Sequence, residues 1–164
     1  MPVKLINVQR YSVTSSKPFS DVVTALEAAI GHPDMNAFRK DVASTKTYAE
    51  LEAVVHKAVG VSGFMEFIRF DHSHIVRKER GENAPRNLRL VLGNPLIMKR
   101  MVEHVPDAGS YAPVTILIDE RSDGVRLSYD RMASFLAPYG SPEALKVAQE
   151  LDAKVEALLT TAAE

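Results

Sequence analysis

Two histidines, His72 and His74, stand two residues apart, directly behind Asp71 and five residues ahead of Glu79. On an extended strand the rings at i and i+2 leave the same face, a workable spacing for two ligands of a divalent metal. Histidine also titrates near neutral pH, and a neighbouring carboxylate such as Asp71 can orient one ring for acid–base work. Asp-His neighbours arise often by chance, and adjacent strand residues face opposite ways. Solvated turn histidines are therefore the default, with a ligand-binding or catalytic role for His72 and His74 as the sharper reading.

The metal alternative uses His72, His74 and Glu79. His-x-His with a glutamate after four further residues has the spacing of a first cupin metal motif. The glycine that motif places six residues upstream is Glu66 here, and no second histidine motif follows. Arg69, Arg77 and Lys78 would repel a cation. The expectation is no metal, with the triad as a weak alternative.

A second candidate is Gly93-Asn94-Pro95, which reads as a strand end, a helix cap and a first helical residue. Backbone N–H groups at a helix start can hold a carboxylate or phosphate, although Pro95 removes one donor. Arg89, Lys99, Arg100 and His104 add positive charge nearby, and a plain strand-to-helix turn explains the same residues. Tyr111, at a strand mouth within Gly109-Ser110-Tyr111-Ala112-Pro113, could donate a hydrogen bond. Ser110 lacks the Gly-x-Ser-x-Gly elbow of a nucleophile. Methionines at 65, 98, 101 and 132 raise noncovalent haem as an alternative, but methionine at helical spacing more often fills a core. No cofactor is expected.

The elements that must position these groups are legible in outline. A loosely alternating strand runs from about Val3 to Val13. Lys17-Pro18-Phe19 opens a helix stopped by Gly31, a short helix covers Asp34 to Val42, and Thr47-Tyr48-Ala49-Glu50 is a capping box for a helix ending at Gly60. From Phe64 to Phe70 the period is two, with apolar residues on both faces. Asp71–His74 reads as a turn and Ile75 to Arg80 as a return strand. Leu88–Leu92 is a buried strand, the Asn94 helix follows, and Pro113–Asp119 and Val125–Tyr129 form a hairpin around Asp123-Gly124. Ser141-Pro142-Glu143 caps a final helix, with fraying expected over 160–164. Helices on one face of a mostly antiparallel sheet make a two-layer α+β fold.

The chain is expected to be one domain over 1–164, with 32–60 a peripheral two-helix insertion. Its 164 residues are 46% apolar and 25% charged, with formal net charge -1, and no strong field draws it to nucleic acid or an acidic membrane. The absence of cysteine excludes disulfides, zinc–thiolate sites and a thiol nucleophile. No signal-like or membrane-length apolar run is present, so a cytoplasmic location is expected. No glycine-rich phosphate loop follows a strand.

The strand at Leu88, Gly93-Asn94-Pro95, Pro106-Asp107, the Pro113 strand and the Gly124 turn resemble, in that order, the bacterial family called domain of unknown function 302. The likeness covers Leu88 to Asp130 well and Val8 to Ile30 loosely. It implies a small sheet domain that pairs into homodimers, and it carries no agreed activity. Many relatives place a cysteine where Gly93 stands.

Taken together, the expected function is a dimeric small-ligand-binding domain for an anionic or hydrogen-bond-accepting molecule, using Arg69, His72, His74, Asn94 and Tyr111. A small enzyme built on the histidine pair, and a structural or partner-binding protein without a pocket, are the alternatives.

Overall fold

The computed structural model describes residues 3–164; residues 1 and 2 of the expected domain lie outside the described residues. The order is β1 (Arg10–Ser15), α1 (Phe19–Ala29), α2 (Met35–Ser44), α3 (Tyr48–Ala58), β2 (Met65–Asp71), α4 (Ser73–Arg80), β3 (Asn87–Gly93) and α5 (Pro95–Val102). A 3-10 turn over Pro106–Ser110 leads to β4 (Val114–Arg121), β5 (Gly124–Asp130), α6 (Met132–Leu136) and α7 (Pro142–Ala163). The strands form one antiparallel sheet in the order β1-β5-β4-β3-β2, so the fold is α+β.

Alternate residues of the sheet have opposite fates because strand side chains alternate between faces. Leu88, Leu90 and Leu92 of β3, Val114, Ile116 and Ile118 of β4, and Val125, Leu127 and Tyr129 of β5 are all buried. They join Val22 and Leu26 of α1, Met101 of α5, and Leu151, Val155 and Leu159 of α7 in one apolar core. Each fully buried leucine or isoleucine contributes about 1.5–3 kcal/mol. The opposite parity bears Arg10, Arg89, Val91, Thr115, Leu117, Ser128 and Asp130, most of it half-buried or exposed.

Buried polar groups tie the helix layer together. Asp152 of α7 accepts hydrogen bonds from the Tyr129 hydroxyl at 2.7 Å and from the Met132 and Ala133 amides at 2.7 and 3.1 Å. One carboxylate thus satisfies the free N–H groups at the start of α6. Burial pushes the Asp152 carboxyl up, and burial beside that carboxylate pushes the Tyr129 phenol up.

α2 and α3 pack against each other around a separate small cluster of Phe38, Val55 and Met65. Thr47 and Glu50 make the reciprocal cap of α3. The segments before and after this pair touch at Gly31 and Gly60, whose amides both donate to the Phe64 carbonyl at 2.8 and 2.9 Å. A Cβ on Gly31 would lie 2.0 Å from the Ala58 carbonyl oxygen, and one on Gly60 2.5 Å from that of Ala29. Close backbone approach, beyond stopping a helix, is what requires glycine at both places.

Three expectations need correcting. The segment after His72 is the helix α4, where a return strand over Ile75 to Arg80 was expected. The Asp71 carboxylate accepts from the Ser73 amide at 2.9 Å and starts the turn; arginine, lysine and glutamate then favour helix, and Ile75 is left 75% exposed. β1 is shorter and later than the Val3–Val13 reading. The carboxyl end does not fray: α7 runs to Ala163, held by Tyr11 to Thr160 at 2.7 Å and by Ser15 to the Ala163 carbonyl at 2.6 Å.

Candidate functional site

The polar parity of the sheet builds a concavity. A cavity of about 420 Å³ opens on the uncovered face, floored by Arg10, Arg89, Thr115, Leu117, Ser128 and Asp130 and walled by Ser110, Tyr111, Pro113 and Phe135. Its size lies in the range of small-molecule sites.

Each polar group there owes its position to the ladder. Arg10 is paired in register with Asp130 and grips it with two hydrogen bonds of 2.6 and 2.9 Å, which raise the Arg10 pKa. That pair is close to neutral. Arg89 has no carboxylate within salt-bridge distance among the described residues. Its guanidinium donates to Thr115 at 3.3 Å and lies 5.5 Å above the ring of Phe70, its register partner on β2. The floor therefore carries one net positive charge with hydrogen-bond donors to spare. Ser128 adds a buried hydroxyl.

The wall is aromatic. Tyr111 stacks on Phe135 with centroids 4.8 Å apart, and its hydroxyl meets that of Tyr139 at 2.8 Å. This hydrogen bond pushes the Tyr139 phenol up to about 12. The Tyr139 phenol therefore stays protonated at neutral pH, and the pair has one O–H beyond the hydrogen bond that joins it.

A second, apolar cleft of about 390 Å³ opens beside the first. It is lined by Phe67, Gly93, Pro95, Ile97, Met98, Met101 and Leu151 among others, and Pro113 and Val114 border both cavities.

The residues singled out in the sequence are dispersed across this geometry. Tyr111 lines the polar cavity. Asn94 borders the apolar cleft, but its side chain is occupied: it accepts from the Leu96 amide and donates to the Gly63 carbonyl, both at 2.9 Å. Arg69 lies away from the cavity, bound bidentately to Glu66 at 2.7 and 2.8 Å and to Glu27 at 2.7 Å; these carboxylates raise its pKa. His72 caps α4 without a side-chain cap bond and stacks on Phe70 at 6.3 Å. His74 is solvent-facing, 3.4 Å from Asp71.

Because α4 is helical, the two rings leave on roughly opposite sides, unlike the shared face a strand would give. Among the described residues, no group of three or more His, Asp or Glu side chains gathers closely enough to hold a metal, so His72, His74 and Glu79 form no such centre. Met65, Met101 and Met132 are buried in the core. Lys99 and Arg100 of the Asn94 helix are spent on Glu103 and Glu150.

Sequence reading passed over Arg10, Thr115, Ser128 and Asp130 and gave Arg89 a minor part. The signal was present: Val125-Arg126-Leu127-Ser128-Tyr129-Asp130 alternates without a break, and Arg89 interrupts an apolar run.

Comparison with known proteins agrees with this fold. The model of the family described as "Domain of unknown function DUF302" matches residues 40–162, and the chain belongs to that family. No curated protein matches it. Among solved structures, the crystal structure of an uncharacterized conserved DUF302 protein from Bacillus stearothermophilus is similar with TM-score 0.65 and 12% identity, over 93% of this chain and 97% of that one. At that identity the likeness speaks for the fold alone.

Proposed function

We propose that this DUF302 protein is a small-molecule-binding domain whose ligand, a small anion or hydrogen-bond acceptor, sits on the uncovered sheet face over Arg89. The observation that carries this reading is a guanidinium with no carboxylate partner among the described residues, placed in the floor of a 420 Å³ concavity. The Arg89 guanidinium is solvent-exposed and keeps N–H donors beyond the one spent on Thr115, and an anion entering the concavity can accept charge-assisted hydrogen bonds from them. Thr115, Ser128 and the free phenolic O–H of the Tyr111–Tyr139 pair supply the neutral hydrogen bonds. Arg10, already neutralised by Asp130, shapes the rim. His72 reaches this region only through Phe70, so a role for the histidine pair is secondary. The test is calorimetric titration with a small carboxylate: wild type binds, and Arg89→Ala binds at least about tenfold more weakly, the worth of a charged hydrogen bond. Equal binding by both proteins would contradict the reading.

A second copy of the chain is the other partner proposed. Ile68 and Phe70 on the edge strand β2 stay 49% and 40% exposed, and an open edge with apolar side chains favours self-association. Light scattering should give a dimer mass at micromolar concentration, and Phe70→Glu should give a monomer.

A further inference from the structure

The apolar cleft beside the polar cavity has no part in holding a small anion, and its place in the fold narrows the ligand class. Three strands end there together. Gly93 closes β3 opposite Pro113 at the head of β4, and Phe67 of β2 comes alongside. A Cβ built on Gly93 would sit 3.4 Å from Pro113 and 3.5 Å from Phe67. Gly93 lines the cleft, and Pro113 and Val114 are walls common to the two cavities. From those walls the cleft runs beneath α5 along Ile97 and Met98 to Met101 and Leu151, and Met101 is completely buried. Among the described residues Asn94 is the one strongly polar side chain on its walls, and both ends of its amide are already bonded. The cleft therefore offers a ligand apolar contact and almost nothing else. The cavity across Pro113 offers a single uncompensated positive charge.

We propose that the two cavities form one site for an aliphatic monocarboxylate, its head on Arg89, Thr115 and Tyr111 and its chain passing Gly93 into the cleft under α5. This rests on the anion-binding reading above and adds the ligand class. One net charge on the floor matches a monoanion, since the Arg10–Asp130 pair cancels itself. A planar carboxylate accepts two parallel N–H bonds from a guanidinium. The cleft volume of about 390 Å³ holds a chain of up to roughly ten methylenes, given about 30 Å³ for a water-sized group and the room lost at the open mouth. Unbranched methionines at 98 and 101 adapt their shape to such a chain.

The experiment is a calorimetric series on the full chain with butanoate, octanoate and dodecanoate, with decyltrimethylammonium as the charge-reversed control. Affinity should rise with chain length, by up to about fourfold per buried methylene, and level off near ten carbons. Gly93→Val fills the junction while keeping a residue suited to a strand; it should flatten the series and leave butanoate unaffected. Carboxylates that bind equally at every length would overturn the chain site while the anion site stands. A cationic amphiphile binding as well as the carboxylates, or no carboxylate binding at all, would overturn both. The wild-type series decides the matter even if Gly93→Val does not fold.

Discussion

The two faces of the sheet are made from the same strands and differ only in residue parity. On β3, β4 and β5 one parity is Leu88, Leu90, Leu92, Val114, Ile116, Ile118, Val125, Leu127 and Tyr129, and helices seal it. The other parity mixes Arg89, Thr115, Ser128 and Asp130 with Val91 and Leu117 and lies at the cavity, with Phe135 of α6 at its wall. The sealed face specifies the fold, since every position there loses area to water and tolerates little change. The open face is free to carry charge, because its polar groups keep access to solvent or to a ligand. Stability and binding therefore separate by parity, and substitutions can test that separation.

The largest effects should fall where the helix layer is pinned. Asp152→Ala strands two amides and a phenol and should lower stability by about 3 kcal/mol or more in urea unfolding. Gly60→Ala pushes a methyl into the Ala29 carbonyl and should cost a comparable 2–4 kcal/mol, roughly. Next comes the parity test itself. Leu90→Ala on the sealed face should cost about 3 kcal/mol, whereas Leu117→Ala on the open face should cost under about 1 kcal/mol. Similar losses at both sites would break the comparison.

The smallest effect is one of pH. Burial raises the Asp152 carboxyl in the folded chain, so the folded state holds that proton more tightly than the unfolded state does. Its contribution to stability is present below the ordinary carboxylate range and is lost as pH rises through the raised value. Relative to Asp152→Asn, wild type should therefore gain stability on acidification through the mildly acidic range. A relative loss would show that the hydrogen bonds to this carboxylate outweigh its burial.

The layered fold was readable because its signals are local. The Thr47 capping box, Asn94-Pro95, Ser141-Pro142 and the Gly124 turn are fixed by neighbours in sequence, and the structure has each. The reading of Ile75 to Arg80 failed because two β-branched residues outweighed a strongly helical run behind them. The candidate site was harder to read because its parts come from β1, β3, β4, β5 and the Ser110–Tyr111 turn, and only strand register brings them together. Arg10 meets Asp130 across 120 residues of chain, a pairing no spacing rule reaches. The histidines drew attention through chemical type, yet His74 faces solvent and His72 serves at the start of a helix.

The most direct test of a site on the open parity is an NMR titration of the ¹⁵N-labelled chain with octanoate. Amides of Arg89, Thr115, Ser128 and Tyr111 should shift together along one saturable curve, while those of His74 and Arg69 hold still. Saturable shifts confined to the Asp71–His74 segment, with the open face silent, would contradict the account.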